Sequence, residues 1–519
     1  MFALLALCAL FLSCLWAAKC VVDYFRDPHN LRQYPSLTPL CAFTNLGYLL
    51  YIYGGDFRSR RMHALHRVHP VIRTGPASLS FADMRAINDI YGHATPCKKG
   101  PLYELSMGAH ANLVDSVDHA EHAQKRKRLS NAFALKNLER WEFKVVDKCT
   151  RLVAQFDRIC DDYRPRETLQ GEKDAPVVSY RTWTNLFTVE AIADIALSQR
   201  LGFLESGTDL IPAEETDGAP IYKAHFIDAV HGSGRVNTPI VWSEEGYKIF
   251  KRVLNYLNPQ FRRQIRLGHD FDNIIHYLAR VRQERYERGE KLDDFFTCLM
   301  EDREGKRLNL DPKEVRAEVN IIMNAGSDTT AVAMTNAMYN LLKNPDKLAK
   351  LREELEKLNI PSDTIVPPYS IVRHCAYLRA VLDESLRVLP PLPLGLQRVT
   401  PPEGSSIAGR WIAGNTVVSV PAYSAHRDPN IFPDPEQFMP ERWLTDSAKS
   451  FSQKYFIPFS MGSRGCIGRN ITYLEQQLLL ATLVRRYDFA FADPNFEPFY
   501  EERMNLLPGD MQLRIRRRG

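Results

Sequence analysis

The spacing of apolar residues predicts helices along most of the chain. Segments such as Asn273–Glu287 and Pro312–Lys343 place apolar residues at helical intervals, with charged residues between them. Shorter runs broken by turn residues, in Pro70–Phe81 and around Ser406–Val420, predict small sheets instead. A last helix is expected from about Asn470 to Arg486. The pattern therefore predicts a mainly α fold with small β-sheets.

The N-terminal segment is apolar enough to suggest a membrane anchor. Met1–Ala18 contains no charged side chain, and about 20 apolar residues can span a bilayer. A cleaved signal peptide would need a basic start and small residues before the cut, whereas Trp16 lies near the end of the run. Lys19 and Arg26 follow the run, so the positive-inside tendency predicts that the rest of the chain is cytosolic.

The rest of the chain has no repeat and no long flexible linker, so we expect one large catalytic unit. The predicted organisation is a transmembrane anchor at residues 1–22, a hinge at residues 23–60 and one domain at residues 61–519. Within the hinge, Leu40–Tyr53 is a second, shorter apolar stretch. It predicts a core or surface helix, with shallow membrane contact as the alternative.

Composition narrows the classes of partner and site. The formal net charge is +5, and no basic stripe interleaved with aromatic residues occurs, so a nucleic-acid partner is not expected. The ten cysteines include no Cys-x-x-Cys pair, which argues against a zinc site and favours free thiols in a reducing compartment. Among the ten, Cys466 lies in a sequence context that predicts a functional role.

The decapeptide FSMGSRGCIG, residues 459–468, precedes the predicted last helix. Its glycines allow a tight turn beneath a flat macrocycle. Backbone N–H groups and the helix N-terminus near Cys466 favour a thiolate that can bind iron. Arg464 can pair with a haem propionate. The alternative is a buried cysteine in a glycine-rich turn, but several positions of one short loop match the first interpretation.

This loop strongly resembles that of the cytochrome P-450 family. The resemblance implies the family's fold, a haem b cofactor with Cys466 as the axial iron ligand, and cofactor contacts from Phe459 and Gly468. It also assigns propionate contacts to His122 and Arg126 in the segment HAQKR, although the family often has tryptophan at the position of His122. Propionate contacts from Arg398 and Arg464 complete the predicted haem-binding set.

The helix Pro312–Lys343 has clear boundary signals. Asp311 is a predicted N-cap, Glu314 would complete a capping box, and Asn344-Pro345 ends the helix. Its middle, AGSDTT at residues 325–330, is unusually rich in poor helix formers. A locally loosened helix above a haem would explain this composition. The alternative is a helix whose serine and threonine hydroxyls bond back to their own carbonyls.

The resemblance implies a catalytic role for this segment. Ala325 and Gly326 would leave room for dioxygen, and Asp328 and Thr329 match the family's acid–alcohol pair that delivers protons to iron-bound oxygen. A further part of the resemblance is structural, because the family joins a Glu-x-x-Arg helix to a Pro-Glu-Arg segment. Here the corresponding residues, which are predicted to be structural rather than catalytic, are Glu384, Arg387 and Arg442.

The implied reaction is the insertion of one oxygen atom from O₂ into a C–H bond of a small organic substrate. The segment after Cys466 is too short for a flavin or nicotinamide domain, so the electrons of NADPH should arrive through a separate NADPH–cytochrome P-450 reductase, with cytochrome b5 as a second candidate partner. The implied location is the endoplasmic reticulum membrane, single-pass. The candidate residues for a reductase-docking face are Lys125, Lys127, Arg128, Lys454 and Arg469, and the alternative is that they are ordinary solvated surface charges.

Three stretches resemble fungal enzymes related to benzoate para-hydroxylase: residues 89–93, 121–127 and 458–462. The same stretches occur in fungal enzymes of secondary-metabolite biosynthesis, so hydroxylation of a biosynthetic intermediate and of an aromatic acid both stay open. Residues 200–260 should cover the pocket. Two other classes compete, a haem-thiolate isomerase or dehydratase that needs no dioxygen and a non-enzymatic haem-binding membrane protein. The intact Asp328-Thr329 pair argues against both.

Overall fold

The computed structural model describes residues 2–108, 110–130, 132–164, 175–241, 246–361, 363–445 and 454–518. Helices dominate this part of the chain, as the apolar spacing predicted. Numbered in chain order, they are α1 (Phe2–Arg26), α2 (Leu46–Ile52), α3 (Arg58–His66), α4 (Arg85–Tyr91), α5 (Pro101–Ser106), α6 (His119–Ser130), α7 (Leu135–Arg140), α8 (Glu142–Asp162), α9 (Tyr180–Leu197), α10 (Phe203–Ser206), α11 (Phe226–Val241), α12 (Tyr247–Leu257), α13 (Pro259–Glu287), α14 (Thr297–Met300), α15 (Pro312–Lys343), α16 (Pro345–Glu356), α17 (Tyr369–Val372), α18 (Ala376–Val388), α19 (Ala422–Ala425) and α20 (Arg469–Arg486).

Helix α15 has the boundaries that local signals predicted. The Asp311 carboxylate accepts a hydrogen bond from the backbone N–H of Lys313 at 2.8 Å, which satisfies a donor that the first turn leaves free. The predicted capping box is wrong, however. The Glu314 carboxylate instead accepts from Lys125 at 2.9 Å and from Arg128 at 3.2 Å, because α6 brings these cations to the first turn of α15.

The largest hydrophobic cluster joins α8, α9, α15, α18 and α20. Helix α15 packs against α9, α13, α18 and α20, and its second half is buried from Thr330 to Met338. A helix with apolar contacts on several sides gains most of its stability from packing rather than from propensity. This explains how α15 tolerates glycine, aspartate and threonine near its middle.

The strands form small sheets, as expected. They are β1 (Val71–Gly75), β2 (Ser78–Phe81), β3 (Lys98–Lys99), β4 (Val177–Ser179), β5 (Leu210–Ala213), β6 (Tyr222–His225), β7 (Arg398–Val399), β8 (Ser405–Ile407), β9 (Arg410–Ile412), β10 (Val417–Ser419), β11 (Tyr487–Phe491), β12 (Tyr500–Glu502), β13 (Leu506–Pro508) and β14 (Gln512–Arg517). The main sheet has the order β1-β2-β10-β7-β3. Its β2–β10 pair is parallel, with Leu79 opposite Val418, and its other pairs are antiparallel.

The C-terminal strands, the stretch Leu40–Tyr53 and the N-terminal segment can each be compared with what the sequence predicts. The strands after α20, which the sequence reading did not identify, pair β11 with β14 and β12 with β13. The stretch Leu40–Tyr53 contains a 3-10 turn, Pro39–Ala42, and α2, in agreement with a short core or surface helix. The N-terminal segment is helical as α1.

No helix within the described residues is both long enough and apolar enough to cross a bilayer. The predicted transmembrane anchor is therefore not supported.

Candidate functional site

The cysteine loop is a tight turn that leads into α20 and packs against the C-terminal end of α4. A short 3-10 helix, Gly462–Arg464, leads to Cys466, whose backbone N–H donates to the carbonyl of Phe459 at 2.8 Å. Gly462 has φ of 68°, and a Cβ there would lie 2.1 Å from the carbonyl oxygen of Tyr91. Only glycine satisfies both the left-handed backbone and this close approach. The turn thereby presents the Cys466 thiol to a cavity.

The thiol of Cys466 is subject to opposing influences. Burial among protein atoms raises its pKa, and this effect outweighs the lowering by the backbone N–H groups of Gly468 and Arg469 and by the charge of Arg126. The predicted help from the helix N-terminus is thus present, but it does not by itself produce a thiolate. A cation bound at the sulfur would supply the missing stabilisation, because a coordinated thiol is deprotonated by the metal's own charge.

A cavity of about 960 Å³ adjoins the cysteine loop. Cys466 lines it together with residues of α15, of the α6 segment and of the turn between β12 and β13. The predicted site residues that line it are His122, Arg126, Ala325, Gly326, Asp328, Thr329, Arg398, Phe459, Arg464, Cys466 and Gly468. One cavity therefore unites every residue that was predicted to bind cofactor or to act in catalysis.

Three arginines and a lysine lie along one part of this cavity. Arg126 donates to the carbonyl of Gly465 at 2.7 Å, and Arg464 donates to the carbonyl of Ser116 at 2.8 Å. Arg398 lies over the ring of Tyr91, 5.1 Å from its centroid. Because carbonyls and rings, not carboxylates, receive these donors, the cluster keeps its positive charge and is suited to bind an anion.

Burial and this positive charge lower the pKa values of two neighbouring groups, His122 and Lys99. Burial, Arg464 and Lys99 lower the pKa of His122 to about 3, so its imidazole is neutral. Burial, Arg464 and Arg398 lower the pKa of Lys99 to about 7. Lys99 was missed by the sequence reading, since nothing in the pair Lys98-Lys99 indicates that one of them is buried. A macrocycle with propionate groups fits this donor set beside the Cys466 thiol.

The segment of α15 that lines the cavity is uninterrupted α-helix, so the predicted loosening is wrong. The hydroxyl of Thr329 donates to the carbonyl of Ala325 at 2.8 Å, which is the back-bonding that the alternative interpretation predicts. A Cβ at Gly326 would lie 2.6 Å from Cγ1 of Ile192 on α9. Glycine at this position therefore serves the close packing of two helices, whatever room it also leaves in the cavity.

Asp328 is fully enclosed by three hydrogen-bond donors. Arg181 of α9 donates to Oδ1 at 2.7 Å, His231 of α11 approaches the same oxygen at 3.2 Å, and Asn505 donates to Oδ2 at 3.0 Å. Burial opposes ionisation, but His231 and Arg181 hold the pKa of Asp328 well below its usual range. Asp328 is thus an ionised carboxylate in a cage rather than a free acid.

The three partners of Asp328 were missed by the sequence reading. Arg181 carried a weak signal, because it is the one charged residue in the first half of α9, where most neighbours are apolar or neutral. His231 and Asn505 carried none, since they stand in segments without a recognisable pattern. The pocket-covering segment predicted at residues 200–260 does contribute to the cavity, through Val230, His231 and Tyr247, while residues 242–245 lie outside the described chain.

The cluster predicted around Glu384 also forms, and it lies away from the cavity. Arg387 donates to both carboxylate oxygens of Glu384, at 2.8 and 2.9 Å. Arg442 adds a hydrogen bond to the same carboxylate at 3.0 Å. The side chains of Glu384 and Arg387 are both 0% exposed. These contacts tie α18 to the segment that carries Arg442.

The predicted docking cations do not form one exposed set. Lys125 is buried, and its ammonium lies 2.9 Å from Glu314 and 3.2 Å from Glu318. Arg128 pairs with Glu314 as well. Lys127, Lys454 and Arg469 are exposed. The interpretation of Lys125 as a surface charge was wrong because its acidic partners lie almost two hundred residues away in the sequence.

Comparisons with known proteins agree with this geometry. The family model described as Cytochrome P450 matches residues 94–513. Benzoate 4-monooxygenase bphA of Aspergillus niger is 30% identical over 475 residues, which cover 90% of this chain and 89% of that protein. Cytochrome P450 monooxygenase FCK2 of Fusarium pseudograminearum is 28% identical over 475 residues, which cover 89% and 77%. Cytochrome P450 monooxygenase orf5 of Eupenicillium brefeldianum is 27% identical over 504 residues, which cover 94% and 92%.

Proposed function

The chain belongs to the cytochrome P450 family, and from this premise we propose that it inserts one oxygen atom of O₂ into a C–H bond of a small organic substrate. The observation that carries the proposal is the placement of the Cys466 thiol, the cationic cluster and the Thr329 hydroxyl around one cavity. Relatives named monooxygenases across nearly the whole chain support the same reaction class.

The residues present fit a haem whose iron is bound by a thiolate. Cys466 would bind the iron, aided by the N–H groups of Gly468 and Arg469. The propionates would be held by Arg126, Arg398 and Arg464, whose guanidinium groups now face carbonyls and rings, together with His122. When bound, the haem supplies the redox chemistry that activates dioxygen. Electrons would come from NADPH through a separate reductase.

Residues of the chain itself must position water molecules and protons near the reacting centre. Thr329 donates its hydroxyl hydrogen to Ala325, so its oxygen is left as an acceptor facing the cavity. It can therefore hold a water molecule that carries a proton. Asp328 lies one residue away and stays ionised within its cage. In this arrangement Thr329 is the proton-positioning group, and Asp328 organises the residues around it.

Replacing Thr329 by alanine is expected to uncouple NADPH oxidation from product formation. Product per NADPH should fall by a factor on the order of 10², the scale of a lost proton-transfer group. The measurement is the ratio of product to NADPH consumed in membranes with reductase, using a probe that shifts the ferric spin state.

The matched control for this variant is Thr335→Ala. The Thr335 hydroxyl also donates to a carbonyl of α15, that of Ala331 at 2.8 Å, but Thr335 is buried and does not line the cavity. Its loss should leave coupling unchanged. Equal coupling in Thr329→Ala and wild type would show that the hydroxyl has no part in proton delivery.

The substrate is proposed to be an intermediate of fungal secondary metabolism, with benzoate or a related aromatic acid as the second candidate. The second candidate rests on the relative named benzoate 4-monooxygenase. Titration of the ferric protein with benzoate separates the two. A saturable low-to-high spin shift, followed by a para-hydroxylated product, would favour the aromatic acid, and a normal reduced-CO spectrum without a shift would favour the biosynthetic substrate.

We propose in addition that the enzyme associates with the endoplasmic reticulum membrane, with its catalytic domain in the cytosol. Helix α1 exposes large apolar side chains such as Leu10, Phe11 and Leu15. Helix α12 exposes Tyr256 and Leu257. Exposed apolar side chains at this density suit an interfacial contact. Flotation of the full-length protein with liposomes tests this proposal, and recovery only in the soluble fraction would contradict it.

A further inference from the structure

The cage around Asp328 fixes the hydrogen-bonding state of two residues that line the cavity. An ionised carboxylate can only accept hydrogen bonds. His231 must therefore donate through Nε2 to Oδ1, at 3.2 Å, and Asn505 must donate through Nδ2 to Oδ2, at 3.0 Å. Both groups bond the same carboxylate, so both side chains are held in place relative to each other.

These two donations determine what the side chains offer to a ligand. With Nε2–H directed to Asp328, the second nitrogen of a neutral His231 imidazole is an acceptor. The amide oxygen of Asn505 is an acceptor, and the hydrogen bond from Nδ2 to Asp328 fixes the orientation of the amide.

Both acceptors belong to the wall of the cavity that holds Cys466 and Thr329. The His231 side chain is 16% exposed, and no hydrogen bond from a described residue reaches its Nδ1 or the Asn505 amide oxygen. The neighbouring wall is largely apolar, with Val230, Leu392 and Leu507. In such cavities, a few oriented polar groups in an otherwise apolar wall determine the orientation of the ligand.

We propose that His231 and Asn505 form an acceptor pair that selects substrates carrying a hydroxyl or N–H group. This inference rests on the proposed monooxygenase function and narrows its substrate class. A ligand hydroxyl would donate to the pair and so be fixed beside the segment of α15 that carries Thr329. An ether of the same shape leaves the acceptors unpaired, and a carboxylate presents a further negative group to them.

Three probes of one shape test the acceptor pair, namely 2-naphthol, 2-methoxynaphthalene and 2-naphthoate. Each is titrated into the ferric full-length protein, and Kd is read from the spin-state shift. The expected result is a Kd for 2-naphthol about 10-fold lower than for the ether and for the carboxylate, the scale of one hydrogen bond to a buried partner. A matched biphenyl series, 4-phenylphenol, 4-methoxybiphenyl and biphenyl-4-carboxylate, extends the test to a larger ring system.

Variants of His231 and Asn505 test whether these two residues cause the preference for a hydroxyl over an ether. His231→Phe and Asn505→Leu should each reduce the discrimination between hydroxyl and ether to about 2-fold or less, because each removes one acceptor. Asn320→Leu is the matched control. It removes an amide that lines the cavity two turns earlier on α15 and bonds Asp272 instead, so the discrimination should persist. If a variant does not fold, the wild-type series alone still decides the question.

The outcomes separate this inference from the function on which it rests. Absence of the thiolate-type CO spectrum in folded wild-type protein overturns the monooxygenase proposal and the acceptor pair with it. A normal CO spectrum with equal affinity for hydroxyl and ether, or with no shift in either series, overturns the acceptor pair alone. Tightest binding of the carboxylates also overturns it, because His231 would then act as a donor.

Discussion

Replacing Cys466 by alanine is expected to abolish the thiolate-type spectrum of the reduced CO complex and all oxygen insertion. The Cys466 sulfur is the proposed iron ligand, and no other described cysteine lines the cavity. Without Cys466 the chain would supply no sulfur donor to a bound haem iron, and sulfur donation is what the thiolate would contribute to dioxygen activation. The measurement is the CO difference spectrum of membranes that contain the variant, normalised to haem content, together with product formation in the presence of reductase.

Cys160→Ala serves as the control for this prediction. Cys160 is a free thiol at intermediate exposure on α8 and does not line the cavity, so its removal should leave spectrum and activity intact. Cys466→Ser adds a finer test, since an oxygen ligand in the same turn keeps the shape of the loop and changes only the donor atom. A Cys466→Ala protein that retained the thiolate spectrum would refute the ligand assignment.

The parts of the fold that the sequence predicted are those set by local chemistry. Helix α15 begins at Pro312, after the N-cap Asp311, and ends at Lys343, before Asn344-Pro345, because caps and prolines act over a few residues. The cysteine loop was predictable for the same reason, since all its glycines lie within ten residues of Cys466. Signals of this kind need no knowledge of the tertiary fold.

What the sequence did not reveal depends on partners far away in the chain. Arg181, His231 and Asn505 meet Asp328 across sequence separations of 147, 97 and 177 residues. The same limit explains the error at Lys125, whose carboxylate partners Glu314 and Glu318 belong to α15. A charged residue within an amphipathic pattern is predicted to be exposed to solvent. The sequence does not show which distant residue will be its counterion in the fold. Asp328 was therefore identified as a site residue, while its ionised, caged state was not.

Replacing Glu384 by alanine is expected to destabilise the fold by about 3–5 kcal/mol, the cost of breaking a buried ion pair from one side. The carboxylate accepts from Arg387 and Arg442 and also from the backbone N–H of Met439 and the indole N–H of Trp443, each at 2.8 Å. Its loss leaves the Arg387 guanidinium, 0% exposed, without its counterion. Such a loss is a large share of a typical unfolding free energy.

The measurement is the urea concentration at which helical circular dichroism and the CO spectrum are lost. Glu353→Ala is the matched control, because Glu353 forms an exposed helical pair with Lys357 and its removal should leave the midpoint unchanged. Glu384→Gln keeps most hydrogen-bond geometry and should fall between the two. Since the cluster does not line the cavity, any folded Glu384→Gln protein should bind substrate probes with wild-type Kd. A changed Kd with an unchanged urea midpoint would instead assign Glu384 a role in binding and contradict its structural interpretation.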